Sequence, residues 1–105
     1  CNPYVRELHT LLQSGFGKPF SLSGYAASTP YTKEHLICLF REEYQVTPYE
    51  YRLRKKMEQA RALLLNSMLS VKEIAEVLGF SSQYHFSNCF KARIGKSPSD
   101  FRKTI

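Results

Sequence analysis

Apolar side chains recur along this chain at intervals of three and four residues, and almost nowhere do they alternate. Tyr4, Val5, Leu8, Leu11 and Leu12 form the first helical stripe. Asn2 can cap that helix with Pro3 at its first position, and Gly15 and Gly17 end it. A short helix is expected at about residues 22–27. Thr32 can cap a longer one that reaches about Tyr44, with Leu36, Leu39 and Phe40 on one face. Thr47-Pro48-Tyr49-Glu50 joins a capping box to a proline at the first helical position, which is a strong start signal. The helix it opens extends to Asn66 on a stripe of Leu53, Met57, Ala60 and Leu64. Ser70 with Glu73 makes a second capping box, for a short helix through Ile74, Ala75 and Leu78 that Gly79 stops. Ser81 or Ser82 caps the next helix, which runs to about Ile94 and ends at Gly95. Ser97-Pro98-Ser99-Asp100 then repeats the cap-plus-proline start. No segment alternates as a half-buried strand does, so the expected class is all-α with about seven helices.

The pattern repeats internally. Phe40 superimposes on Phe90 at an offset of 50 residues, and His35 then falls on His85, Leu36 on Phe86 and Leu39 on Cys89. The same offset places Arg41 on Lys91, Tyr44 on Ile94, Thr47-Pro48 on Ser97-Pro98, Tyr51 on Phe101 and Arg52 on Arg102. Upstream the offset becomes 49, with Leu22 on Val71, Tyr25 on Ile74 and Ala26 on Ala75. The slip falls in a turn, where a change of length costs little. Each copy is a short helix with a small residue, a tight turn, a longer helix and a new helix start. That is the layout of a helix-turn-helix, in which the small residue (Ala26 or Ala75) lets two helices approach closely.

Charge sharpens this reading. The chain has 105 residues with 15 Lys+Arg against 9 Asp+Glu, a net charge of +6. The excess is uneven: residues 1–47 are neutral, 48–61 carry +3, 62–90 carry −1 and 91–105 carry +4. Two basic blocks separated by neutral sequence suit a polyanion held at two places. At 43% hydrophobic and 13% aromatic, the chain can bury a core and is not a disordered tail. No run of about 18 apolar residues exists for a membrane span. Three cysteines are too few, and odd in number, for a disulfide scaffold. The chain opens at Cys1 with no visible signal peptide, so a processed or truncated start and a reducing, cytoplasmic location are expected.

The stretches Ile74-Ala75-Glu76-Val77-Leu78-Gly79-Phe80-Ser81, Phe86-Ser87-Asn88-Cys89-Phe90-Lys91 and Gly95-Lys96-Ser97-Pro98-Ser99-Asp100-Phe101-Arg102 resemble the AraC/XylS family of bacterial transcription regulators. Leu36, Leu39-Phe40, Thr47-Pro48, Tyr51 and Ala60-Arg61-Ala62-Leu63-Leu64 extend the resemblance over nearly the whole chain. It implies a DNA-binding domain of two helix-turn-helix subdomains, residues 1–47 and 67–105, joined by a linker helix over residues 48–66. It also implies an activator that contacts RNA polymerase, and a fragment of a longer regulator with a separate sensing or dimerisation domain. Family members often carry a basic residue where Cys38 and Asn88 stand, and this chain departs from them there.

A helix that reads the major groove must present outward side chains to base edges. Removing the core positions leaves Lys33, Glu34, Ile37, Cys38 and Arg41 on the first long helix, and Gln83, Tyr84, Ser87, Asn88 and Lys91 on the second. Gln83 and Asn88 suit bidentate contacts to adenine; Lys33, Arg41 or Lys91 can reach guanine or a phosphate; Ile37 suits a thymine methyl. Arg52, Lys55 and Lys56 lie away from the linker stripe and are expected at phosphates, as are Thr32, Ser81, Lys96 and Arg102. A linker helix of about 19 residues spans roughly 28 Å, and one turn of B-DNA roughly 34 Å, so the two units are expected in successive major grooves of an asymmetric site about two turns long.

Other chemistry is poorly served. The single aspartate, Asp100, belongs to a helix start, and neither a glycine-rich phosphate loop nor a Ser-His-Asp set is present. His35 with Cys38 and His85 with Cys89 suggest zinc, but Cys89 aligns with core Leu39 and Cys38 with outward Asn88, so no metal or cofactor is expected. His9 is expected at the surface or its boundary. The competing class is a helical protein-interaction module, contacting RNA polymerase for example, with weak non-specific DNA binding.

Overall fold

Local start and stop signals set the helices, and in the computed structural model they fall close to where the sequence puts them. The structure describes residues 2–13, 15–16 and 20–103. The Asn2 side chain accepts from the Tyr4 and Val5 amides and opens α1, Pro3–Leu11. Gly15 adopts the left-handed region at φ +67°, four residues past the helix; the expected stop at Gly17 lies outside the described residues. Ser21 caps α2, Leu22–Ala26, and Thr32 caps α3, Lys33–Tyr44. The Glu50 amide donates to the Thr47 hydroxyl at the start of α4, Pro48–Asn66. The capping box of Ser70 and Glu73 is complete at α5, Val71–Val77. The next helix, α6, covers Gln83–Ile94, and α7 covers Pro98–Lys103, where the Asp100 amide donates to the Ser97 hydroxyl. No strand occurs among the described residues.

The chain divides into two compact units, Cys1–Lys55 and Lys56–Ile105. The boundary falls inside α4, the helix expected to link the two subdomains. The first turns of α4 belong to unit 1 and the later turns to unit 2. In unit 1, α3 packs on α1 and α2; Val5, Leu8, Leu12 and Phe40 form a buried cluster, with Phe20, Leu22, Tyr25, Leu39, Tyr44, Val46 and Tyr51 against it. In unit 2, α6 packs on α5 and α7, and Met57, Ala60, Leu64, Ile74, Ala75, Leu78, Phe86 and Phe90 are buried.

This exposes a longer repeat. Buried Val5 and Leu8 of α1 and its C-cap Leu12 correspond to buried Met57, Ala60 and Leu64 of α4 at an offset of 52. The early turns of α4 correspond to α7 at an offset of 50, each entered through a buried proline, Pro48 or Pro98. So α4 closes one copy and opens the next.

Candidate nucleic-acid interface

A helix packed on its neighbours through every third and fourth residue leaves the remaining positions outward. In α3 and α6 the division is the same residue by residue. Leu36 and Phe40 are buried as Phe86 and Phe90 are; Ile37 and Leu39 are half-buried as Ser87 and Cys89 are; positions 33–35, 38 and 41–43 are exposed, as are 83–85, 88 and 91–93. Buried Ala26 and Ala75 stand at matching places in the helix before each turn, as expected.

The structure therefore brings Lys33, Glu34, Cys38 and Arg41 onto one exposed face of α3, and Gln83, Tyr84, Asn88 and Lys91 onto one exposed face of α6. Tyr84 is 83% exposed, far beyond what a packed tyrosine allows. None of these side chains has a hydrogen-bond or ion-pair partner among the described residues. Ser87 is half-buried at the edge of its face. Ile37 is half-buried too, and with Lys33 it lines a mostly apolar groove of about 340 Å³ whose other walls include Leu22, Pro48 and Tyr49.

The groups expected at phosphates divide into two sets. Thr32 is exposed and its hydroxyl accepts from the His35 amide; Lys96 is exposed. Lys55 reaches over the Tyr51 ring at 5.5 Å, and Lys56 over Phe80, in the turn of unit 2, at 4.9 Å. The cap of α6 is Ser82, whose hydroxyl accepts from the His85 amide; Ser81 is not the cap, and its hydroxyl lies 3.4 Å from His85 Nδ1. The repeat register could have decided this, because Thr32 falls on Ser82.

Arg52 and Arg102 are engaged within their own units. The Arg52 guanidinium donates to the Leu12 carbonyl at 3.4 Å and the Gly15 carbonyl at 3.1 Å, and lies over the Phe16 and Phe20 rings at 5.0 and 5.5 Å. Its burial pulls the guanidinium pKa below the ordinary arginine value. Arg102 donates to the Leu64 carbonyl at 3.0 Å and the Ser67 carbonyl at 3.4 Å. The two residues thus perform one task in the two copies: each satisfies carbonyls at the C-terminal end of the first helix of its unit. Helical spacing puts both on the polar side of their own helix, but it cannot show which neighbouring helix end lies beneath them.

The histidines are also placed. His35 meets Tyr31 edge-on at 5.0 Å and His85 meets Phe80 edge-on at 5.3 Å, again equivalent contacts. Cys38 is exposed and Cys89 half-buried, in keeping with their unequal places in the repeat. His9 is half-buried, a boundary position, but its partners were not legible in the sequence. Its ring stacks on Tyr44 at 4.2 Å, packs on Tyr51 at 4.6 Å and lies 3.0 Å from Gln13 Nε2. Burial, and secondarily the Lys55 charge, hold its pKa below the ordinary 6.5.

A profile of the helix-turn-helix domain family matches residues 25–104. The chain belongs to this family, in its AraC-type form. The Msm operon regulatory protein of Streptococcus mutans is 34% identical over 102 residues, which are 97% of this chain and 37% of that protein. The solved C-terminal domain of AraT, a response regulator from Geobacillus stearothermophilus, superimposes with a TM-score of 0.91 at 30% identity, covering 99% of this chain and 87% of that one. A transcriptional regulator with an AraC-type DNA-binding domain from Chromobacterium violaceum gives a TM-score of 0.83 at 26% identity over 97% of this chain and 91% of that one. The AraC-type domain spans between 28% and 37% of the curated relatives' length. No helix among its described residues is long and apolar enough to cross a membrane.

Proposed function

We propose that this chain is the DNA-binding part of a bacterial transcription regulator and binds double-stranded DNA sequence-specifically, with α3 and α6 each in a major groove. One observation carries the reading most: α3 and α6 have the same pattern of burial, and Lys33, Glu34, Cys38 and Arg41 on one and Gln83, Tyr84, Asn88 and Lys91 on the other are exposed with no hydrogen-bond or ion-pair partner among the described residues. Recognition helices bring the residues near their N-termini to base edges, and in both helices the outward set begins at the first helical residue, Lys33 or Gln83. Thr32, Lys55, Lys56, Ser81 and Lys96 supply phosphate contacts in this reading. Because the units are a direct repeat, the site is asymmetric and about two turns long. In the cell the domain acts in the cytoplasm within a longer regulator that carries a sensing or dimerising part, and it activates through RNA polymerase.

Titrating random and selected duplexes across salt concentrations tests this. Release of counterions from about five or six phosphates gives a log–log slope of about −5. A slope near zero, or no enriched sequence, leaves the protein-interaction module as the better account.

A further inference from the structure

Glu34 is an acid on the α3 face that the proposed function turns toward DNA. It is exposed at the second residue of α3, it has no hydrogen-bond or ion-pair partner among the described residues, and its place in the repeat is that of Tyr84. A carboxylate on a face that approaches a polyanion is repelled unless its oxygens meet hydrogen-bond donors. We propose that Glu34 is the specificity-determining residue of unit 1, selecting cytosine, and that the DNA site is chemically divided: G·C-weighted beneath α3 and A·T-weighted beneath α6. This rests on the reading of α3 and α6 as DNA-recognition helices.

The inference follows from what each base shows in the major groove. Guanine presents two acceptors, N7 and O6, and thymine presents O4 and a methyl group. A carboxylate, which only accepts, is repelled by both. Adenine presents a donor beside an acceptor, which suits an amide with one of each. Cytosine presents its N4 amino group as a donor alone, which suits a carboxylate. Glu34 thus discriminates as much by what it rejects as by what it binds. On the same face Lys33 and Arg41 only donate, and their complement is guanine; the face of α6 has a single such side chain, Lys91. The face of α3 carries no amide side chain, whereas that of α6 carries two, Gln83 and Asn88, and no carboxylate. The matching burial of the two helices makes this a difference of chemistry on one frame.

The test is selection from a random duplex pool with the full chain, its Glu34→Gln variant and its Asn88→Ala variant, read as base preference at each position. The wild type is expected to enrich cytosine at one position of one half-site and adenine in the other half. Glu34→Gln keeps the shape and removes the charge. It is expected to cut the cytosine preference about tenfold, move that position toward adenine, leave the other half unchanged and tighten binding to random duplex. Asn88→Ala is expected to relax the other half alone. If Glu34 served only α3, through its helix dipole, the variant would weaken all sequences alike, and that outcome overturns the inference. A consensus that survives Glu34→Gln, or two halves of the same composition, overturns it while leaving DNA reading intact. A wild type that enriches nothing overturns both.

Discussion

Unit 1 and unit 2 solve the same packing problem with different residues. Where α5 ends, Gly79 turns left-handed at φ +77°, and the Phe80 and Gly79 amides close on the Ala75 and Glu76 carbonyls in a Schellman arrangement. Where α2 ends there is no glycine. The Ser28 and Thr29 amides turn back to Tyr25 and Ala26, and their hydroxyls bond the same two carbonyls. Ile74 is fully buried in unit 2. Its counterpart Tyr25 is half-buried, and its hydroxyl lies 2.8 Å from a Glu7 carboxylate oxygen and 2.7 Å from the Tyr4 carbonyl. Burial first, then Glu7, raises the Tyr25 pKa. The repeated requirements are a small residue in α2 and α5, satisfied helix ends and two fully buried residues in α3 and α6. Side chains that meet these conditions can be exchanged; outward side chains meet none of them, which leaves those of α3 and α6 free to diverge.

The largest test of that equivalence is at the two arginines. Arg52→Ala and Arg102→Ala are each expected to destabilise their own unit by about 2 kcal/mol, the scale of hydrogen bonds from a charged group. Arg52→Ala should cost more, because it also uncovers Phe16 and Phe20. Urea unfolding followed by site-resolved amide exchange measures both. At temperatures where each variant stays folded, DNA affinity and its salt slope should be unchanged. A slope shallower by about 1 would return either residue to the phosphate set.

A smaller, cleaner comparison is the end of the reading helices. Gly95 caps α6 at φ +95°, and Gln45 holds the equivalent left-handed position after α3 at φ +67°. A Cβ at Gly95 would meet nothing within 4 Å, so Gly95→Ala isolates the backbone cost and should destabilise unit 2 by about 1 kcal/mol. Gln45→Gly should stabilise unit 1 by less, about 0.5 kcal/mol, because glycine is freer when unfolded and the Gln45 side-chain bond to the Glu42 carbonyl is lost. Thermal melts of both variants measure the pair. Changes of the same sign would mean that the two caps are not equivalent.

Such caps were legible because they are local. Thr32, Ser70 with Glu73, Pro48, Pro98, Gly79 and Gly95 each act within a few residues; hydrophobic spacing supplied Leu36 and Phe40 as core, and the repeat carried that reading to Phe86 and Phe90. The outward faces of α3 and α6 followed by subtraction. What stayed hidden depends on distant chain. Val5, Leu8 and Leu12 share little with Met57, Ala60 and Leu64 beyond apolarity, so the repeat between α1 and α4 was invisible, and with it the double role of α4. The intrachain partners of Arg52 and Arg102 were hidden too, because a helical wheel gives a direction and no partner. Their identity in both copies, where most outward neighbours differ, was the available signal.

His9 gives the smallest effect and a difference with no counterpart to blur it, because the position 52 residues on is Arg61. Two influences compete. Burial first, and then the Lys55 charge, disfavour a protonated imidazole and lower the pKa from 6.5, while the Tyr44 and Tyr51 ring faces act in the opposite direction. A base whose folded pKa is lowered binds its proton more readily when unfolded. Unit 1 is therefore unaffected well above pH 6.5 and loses stability as pH falls through that value, until the folded-state pKa is reached. Amide exchange in α1 and α3, corrected for the intrinsic pH dependence of exchange, should show protection falling between pH 7.5 and 5.5. His9→Phe, which keeps the ring between Tyr44 and Tyr51, should abolish that fall. Protection that rises on acidification would mean that the tyrosine faces outweigh burial.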